Sequence, residues 1–210
     1  MLTVWCLRWG DKYDDYAVQR LQGSVQRNLP AAHRFICITD QQIGGVVTMP
    51  PPVDWPGWWG KLSLFKPGIC DGQNIWLDLD VVVTGSLDFL LDYTSCELAT
   101  PLNWAQSGHG GCQSSVMAWG QTRNTIRIYS DFDPAWAHWP PVNKPGVYWG
   151  DQEVITAMRD AGKINVTPID ERYVKSYKYH CRDGLPEDCR IVVFHGEPKP
   201  ADVREPWFRW

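Results

Sequence analysis

The apolar positions of the chain come in short runs, and the polar breaks between them carry the candidate chemistry. Leu2 to Arg8 reads as a strand that Gly10-Asp11-Lys12 interrupts. From Tyr13 to Arg27 the residues Tyr16, Ala17, Leu21 and Val25 recur at helical spacing, and Asn28-Leu29-Pro30 ends the pattern. His33 to Thr39 is a second strand, with Asp40 at its carboxyl end. Strand, helix and strand in this order predict a parallel pair, and ligands of such sheets bind beyond the carboxyl ends of the strands. Lys12 and Asp40 therefore fall on a ligand edge. The plainer reading of Asp40 is a turn started with Gln41 and Gln42.

Val46 to Met49 is a third short strand, followed by a stiff proline-rich loop from Pro50 to Gly57. Trp58 to Phe65 reads as a helix or helical turn entering the core. Next comes Asn74-Ile75-Trp76-Leu77-Asp78-Leu79-Asp80-Val81-Val82-Val83, two apolar runs around two carboxylates. The flanking residues fit a strand buried on both faces, and period two puts Asp78 and Asp80 on one side. Two like charges in a core are costly unless a cation neutralises them. A hard divalent ion carrying a phosphate is the simplest such cation; the alternative is a strand end in solvent.

Beyond it, Gly85 to Asp88 turns into a short helix that Ser86 can cap. Glu97–Thr100 and Ser115–Trp119 read as strands around an irregular loop, Asn103–Gln113. Thr122 to Tyr129 is helical. Asp131 to Val147, rich in proline and tryptophan, reads as a loop covering the site. Asp151–Ala161 is a helix, Ile164–Ile169 and Arg190–Phe194 are strands, and the tail Pro198–Trp210 wraps the surface. With no internal repeat and no linker, residues 1–210 read as a single domain.

Composition narrows the function. The 210 residues carry a net charge of -4, so no broad basic field is available for a nucleic-acid backbone. The 13 tryptophans are good stacking partners for sugars and bases, and also ordinary core material. The 7 cysteines form no C-x-x-C pair, which argues against a zinc site or a disulfide scaffold. Met1 to Gly10 is too short and too polar for a signal peptide, and no apolar run approaches the roughly 20 residues of a membrane span. A reducing, cytoplasmic setting is expected.

Ile191-Val192-Val193-Phe194 delivers His195 to a strand end, and Gly196 lets backbone approach a ligand closely. Asp78, Asp80 and His195 together suit a divalent ion such as Mn²⁺. Lys199 can meet a phosphate as a point charge. A lone histidine after a strand is more often a satisfied structural residue.

Taken in order, seven segments resemble the GT-A type nucleotide-sugar glycosyltransferases, the glycogenin-like class and its small bacterial and bacteriophage relatives. They are Trp9-Gly10-Asp11-Lys12-Tyr13 with Arg27-Asn28-Leu29-Pro30, Cys37-Ile38-Thr39-Asp40, Gly57-Trp58-Trp59-Gly60-Lys61-Leu62, Leu77-Asp78-Leu79-Asp80, Ser114-Ser115-Val116-Met117, Gly150-Asp151-Gln152, and Phe194-His195-Gly196-Glu197-Pro198-Lys199-Pro200. The resemblance implies an α/β, Rossmann-like GT-A fold, with a mixed, mostly parallel sheet flanked by helices. It implies a hexosyltransferase-like enzyme that moves a sugar from a nucleoside-diphosphate sugar, a UDP-sugar first, with retention. Asp78 and Asp80 would be the D-x-D pair that holds Mn²⁺ or Mg²⁺, with His195 as third ligand. Lys199 and Lys61 would contact the donor, as would Leu79 and Gly196. Trp9, Lys12, Tyr13 and Asp40 would form the nucleotide pocket, and Ser114 and Ser115 would lie near the donor sugar. Asp151 and Gln152 would stand at the reacting sugar, unless Asp151 only caps its helix. A surface glycan is the default acceptor, with a modified nucleic-acid base as the other possibility.

Rival readings are weaker. Asp78-Leu79-Asp80-Val81 also matches a haloacid-dehalogenase-type phosphotransferase, with Asp78 as nucleophile, but that motif normally follows the first strand. A non-enzymatic, tryptophan-rich sugar-binding module needs none of Asp78, Asp80, His195 and Lys199. A nucleotidyltransferase calls for a better glycine-rich basic loop than Gly10-Asp11-Lys12.

Overall fold

The structure is a computed structural model that describes residues 1–104, 111–138 and 148–208. Strands β1 (Leu2–Leu7), β2 (His33–Ile38), β3 (Val47–Met49), β4 (Gln73–Leu77), β6 (Leu98–Thr100), β7 (Val116–Gly120) and β8 (Val166–Pro168) build the main sheet. Their order is β3-β2-β1-β4-β7-β6-β8. β1 pairs in parallel with β2 and β4, as the strand–helix–strand pattern requires, and β3 joins β2 in parallel. β7 runs antiparallel to β4 and β6, and β8 returns parallel to β6. β5 (Val81–Val83), β9 (Val174–Ser176) and β10 (Ile191–Val193) form a second sheet in the order β5-β10-β9.

The period-two pattern of the central strands buries both faces. Val4, Cys6, Ile75, Leu77, Val116 and Ala118 pack with Val18, Leu21 and Val25 of helix α1 (Asp15–Asn28). Trp5, Trp76, Met117 and Trp119 face the other way, against Trp59, Leu62 and Phe65 of the 3-10 helix Gly57–Phe65. Helices α2 (Arg123–Ser130) and α3 (Asp151–Asp160) complete that side through Ile128, Val154 and Ile155. Asp14 caps α1 by accepting from the Ala17 amide at 2.9 Å, and Thr122 with Thr125 forms the capping box of α2. The fully buried tryptophans Trp5, Trp59, Trp76 and Trp119 are thus core residues. All 7 cysteines are free thiols.

Four local expectations change. The stretch Asn74–Val83 is two strands in two sheets, because β4 ends at Leu77 and Asp78-Leu79-Asp80 turns. The Asp78 amide still pairs with the Ser115 carbonyl at 2.9 Å, whereas the Asp80 carbonyl accepts from Phe194 of the second sheet at 3.0 Å. Ser86 bonds Asp88 locally, and the cap position of the 3-10 helix Asp88–Tyr93 is Leu87. Asp151 is the first residue of α3, with Gly150 at the cap. β9 and the single helical turn Tyr177–Cys181 had no clear signal in the sequence. The tail packs as expected up to Phe208, with Trp207 and Phe208 against Tyr177 and Phe194. Most of the expected covering loop, 139–147, lies outside the described residues. Among the described residues, no helix is long and apolar enough to cross a membrane.

Candidate active site

The turn between the sheets is the centre of the site. β1 and β4 both end there, and β7, antiparallel to β4, begins there after Ser114 and Ser115. β10 brings His195 and Gly196 to the same edge, because Val193 of β10 is in register with Val81 of β5. These ends surround an open cavity of about 790 Å³, within the range of small-molecule sites. Trp9, Lys12, Tyr13, Lys61, Asp78, Leu79, Asp80, Ser114, Ser115, Asp151, Gln152, His195, Gly196 and Lys199 all border it. Asp40 does not: it is exposed beyond β2 and outside the cavity wall.

Within the wall, Lys61, Asp78, Asp80, Asp151 and Lys199 already have partners. The Lys61 ammonium lies 3.0 Å from Asp78 Oδ1 and 3.1 Å from Asp151 Oδ2. It also donates to the carbonyl and hydroxyl of Ser114 at 3.1 and 3.2 Å. The lysine side chain is only 3 % exposed. Burial opposes its charge, but Asp151 and Asp78 outweigh burial and raise its pKa. Lys61 is therefore an internal clamp joining the ends of β4 and α3, with its ammonium engaged inside the wall rather than free for a phosphate. Asp78 Oδ1 further accepts from Trp76 Nε1 at 2.7 Å.

Asp80 holds a second set. Its Oδ2 accepts from Lys199 Nζ at 2.9 Å and from the Tyr13 hydroxyl at 3.2 Å. Burial, with Asp78 nearby, raises the Asp80 carboxyl above its usual range, and Lys199 and Lys12 work against the rise. Burial and Asp80 push the Tyr13 phenol far up as well, so it stays protonated and donates. Arg20 steadies the turn through the Leu79 carbonyl at 3.0 Å.

His195 sits between Trp104 and Tyr179, with ring centroids 6.1 and 5.8 Å away, and its Nε2 lies 2.7 Å from Ser176 Oγ. Burial first, then Lys178 and Lys199, hold its pKa below the usual histidine value. A neutral imidazole beside two carboxylates is the right donor set in kind for Mn²⁺ or Mg²⁺. The placement is not that of a ligand cage. Among the described residues no group of three His, Cys, Asp or Glu side chains is arranged to share an ion. Lys199 and Tyr13 hold Asp80, Lys61 and Trp76 hold Asp78, and Ser176 engages His195. The three expected ligands thus border one cavity without converging.

Ser115 is locked by Gln113, which accepts from its amide at 2.7 Å and donates to its hydroxyl at 2.9 Å. Gly196 adopts φ +69°, and a Cβ there would lie 3.0 Å from Lys178 Nζ. Lys178, Trp58, Trp149 and Glu153 also border the cavity. Sequence reasoning did not assign them. For Lys178 the run Tyr177-Lys178-Tyr179-His180, aromatic and basic just upstream of the His195 strand, was the available signal.

Neither protein-family models nor curated proteins give a match to the sequence. Solved structures do. Galactosyltransferase LgtC, in complex with donor and acceptor sugar analogs, superposes with a TM-score of 0.59 at 16% identity, covering 95% of this chain and 89% of that one. Glycosyltransferase GlyE of Streptococcus pneumoniae TIGR4 gives 0.64 at 14% identity, over 95% and 56% of the two chains. Mouse xyloside xylosyltransferase 1 gives 0.56 at 13% identity, over 95% and 99%. These likenesses establish the GT-A glycosyltransferase fold, with its mixed, mostly parallel sheet.

Proposed function

We propose that the protein is a glycosyltransferase that moves a sugar from a nucleoside-diphosphate sugar, UDP-sugars first, to an acceptor hydroxyl with retention. The observation that carries the reading is the Asp78–Asp80 turn, set at the carboxyl end of β4 on a cavity that Lys12, Lys178 and Lys199 also border. In a parallel-sheet fold this is the ligand edge, and the lysines supply cations for a diphosphate.

Transfer breaks the bond between the anomeric carbon and the diphosphate oxygen, and the electron pair leaves on the diphosphate. The acceptor oxygen bonds the same carbon, and its proton passes to an oxygen of the departing phosphate. Lys199 and Lys178 stabilise the charge as it develops on the leaving group, where fixed charges act most strongly. Tyr13 and Lys61 hold Asp80 and Asp78 in place. Gln152 offers its amide to sugar hydroxyls, and Asp151, neutralised by Lys61, positions the start of α3. Mn²⁺ or Mg²⁺ belongs to the proposal on donor chemistry alone, and binding at Asp80 would require Lys199 to leave it.

The test is donor hydrolysis and UDP binding over a nucleotide-sugar panel, each with Mn²⁺ or with EDTA. Binding of at least one donor, lost in Asp80→Asn, is expected. A panel without any bound donor, or an Asp80→Asn protein indistinguishable from wild type, contradicts the reading.

A further inference from the structure

Of the large apolar side chains that are exposed among the described residues, Trp149 alone borders the cavity. It is 49% exposed, an indole left facing water at the rim of a binding cavity. It is nevertheless held firmly. Its ring lies against Trp58, with centroids 5.5 Å apart and planes 35° apart. Its amide donates to Glu153 Oε2 at 2.6 Å. Gly150 packs so closely on Trp58 that an added Cβ would lie 3.3 Å from the indole nitrogen. The result is a braced aromatic platform with a carboxylate beside it and the Gln152 amide next along α3.

Side-chain contacts give its place along the wall. Lys199 meets Asp80; Asp78 meets Lys61, which meets Asp151; Asp151 follows Gly150, which packs on Trp58 and so leads to Trp149. Lys178 lies by Gly196, and both it and Lys199 act on His195, so these cations belong to one stretch of the wall and the indoles to another. Glu153 at the indole stretch repels a phosphate, so the donor diphosphate is directed to the lysines. The same acid repels a nucleic-acid backbone.

We infer that Trp149, braced by Trp58 and flanked by Glu153 and Gln152, is the acceptor subsite and takes a neutral pyranoside. The inference rests on the glycosyltransferase reading and adds the acceptor class to it. A pyranose has an apolar face of C–H groups and a rim of hydroxyls. An indole face matches the first, and a carboxylate with an amide matches the second.

Saturation-transfer NMR with methyl β-glucopyranoside, methyl β-galactopyranoside and methyl β-xylopyranoside tests it on wild type, Trp149→Ala and Trp149→Phe, with UDP titrated in parallel. At least one glycoside should bind wild type and show transfer to its ring C–H protons. Trp149→Ala should weaken that binding by about tenfold or more, whereas Trp149→Phe stays within about threefold. UDP affinity should stay within about twofold in both variants. No glycoside bound to a wild type that binds UDP overturns the subsite and leaves the donor reading standing. Equal glycoside affinity in Trp149→Ala, or a single-stranded oligonucleotide that binds where glycosides do not, also overturns it. Failure of wild type to bind any nucleoside diphosphate overturns the donor reading itself.

Discussion

Lys61→Met separates a structural clamp from a donor contact. In the wild type the buried ammonium joins Asp78, Asp151 and Ser114. Methionine keeps the stem and removes the charge, leaving two carboxylates without their shared cation. Breaking a buried pair from one side costs about 3–5 kcal/mol. Asp151 is only 7% exposed, but the Asp78 side chain is 26% exposed and partly screened by water, so the low end of that range, about 3 kcal/mol, applies. For a chain of this length 1 kcal/mol shifts Tm by about 2–4 °C, so Tm should fall by about 6–12 °C. Adding Asp151→Asn to Lys61→Met should recover part of the loss, because one unpaired charge goes; Asp151→Asn alone should destabilise. Thermal unfolding of the four proteins by circular dichroism gives the coupling directly. A Lys61→Met protein that unfolds within about 2 °C of wild type, and has lost only UDP affinity, would refute the clamp and restore Lys61 as a donor ligand.

Other expectations follow from single residues. Gly196→Ala places a side chain in left-handed backbone and against Lys178, at a cost of about 1–2 kcal/mol. It should lower both Tm and UDP affinity, whereas Gly162→Ala, at φ +67° with open space around it, should lower Tm alone; equal UDP affinities in the two would contradict the contact with Lys178. His180 is held below the usual histidine pKa by burial and then Lys175, and its Nδ1 accepts from the Ser176 amide. Its folded pKa lies below the unfolded value of about 6.5, so stability is full above that pH and falls as pH drops through it. The fall in Tm between about pH 7.5 and 5.5 should be shallower in His180→Gln, and an unchanged slope would contradict this.

Much of the frame was legible because its elements are strongly patterned. The buried alternation of β1, β2 and β4 and the helical spacing of α1 survive in the structure with small changes at their ends. The carboxylate pair was legible for the same reason: two charges after Leu77 interrupt an otherwise apolar run. What period two could not show was the turn itself, since a strand and a strand–turn–strand share one apolar pattern. The division into two sheets rests instead on long-range pairing, Val81 with Val193 and Asp80 with Phe194. Side-chain partners were hidden for a similar reason. Nothing local to Lys61 reveals that Asp151 arrives from 90 positions away to meet its ammonium. Asp40 shows the opposite case, a residue at a strand end that does not border the cavity, whereas the ends of β1, β4 and β10 and the start of β7 lead into it.

The central claim is that a nucleoside diphosphate binds at the lysines beside the Asp78–Asp80 turn. Calorimetric titration of UDP into wild type and Lys199→Met, at two salt concentrations, tests it most directly. Loss of one charge-assisted contact of about 1.5–3 kcal/mol should weaken binding by roughly 10- to 150-fold. The weakening should be larger at low salt, with the folded state retained. Equal UDP affinity in the two proteins, or no binding to either with or without Mn²⁺, would contradict the account.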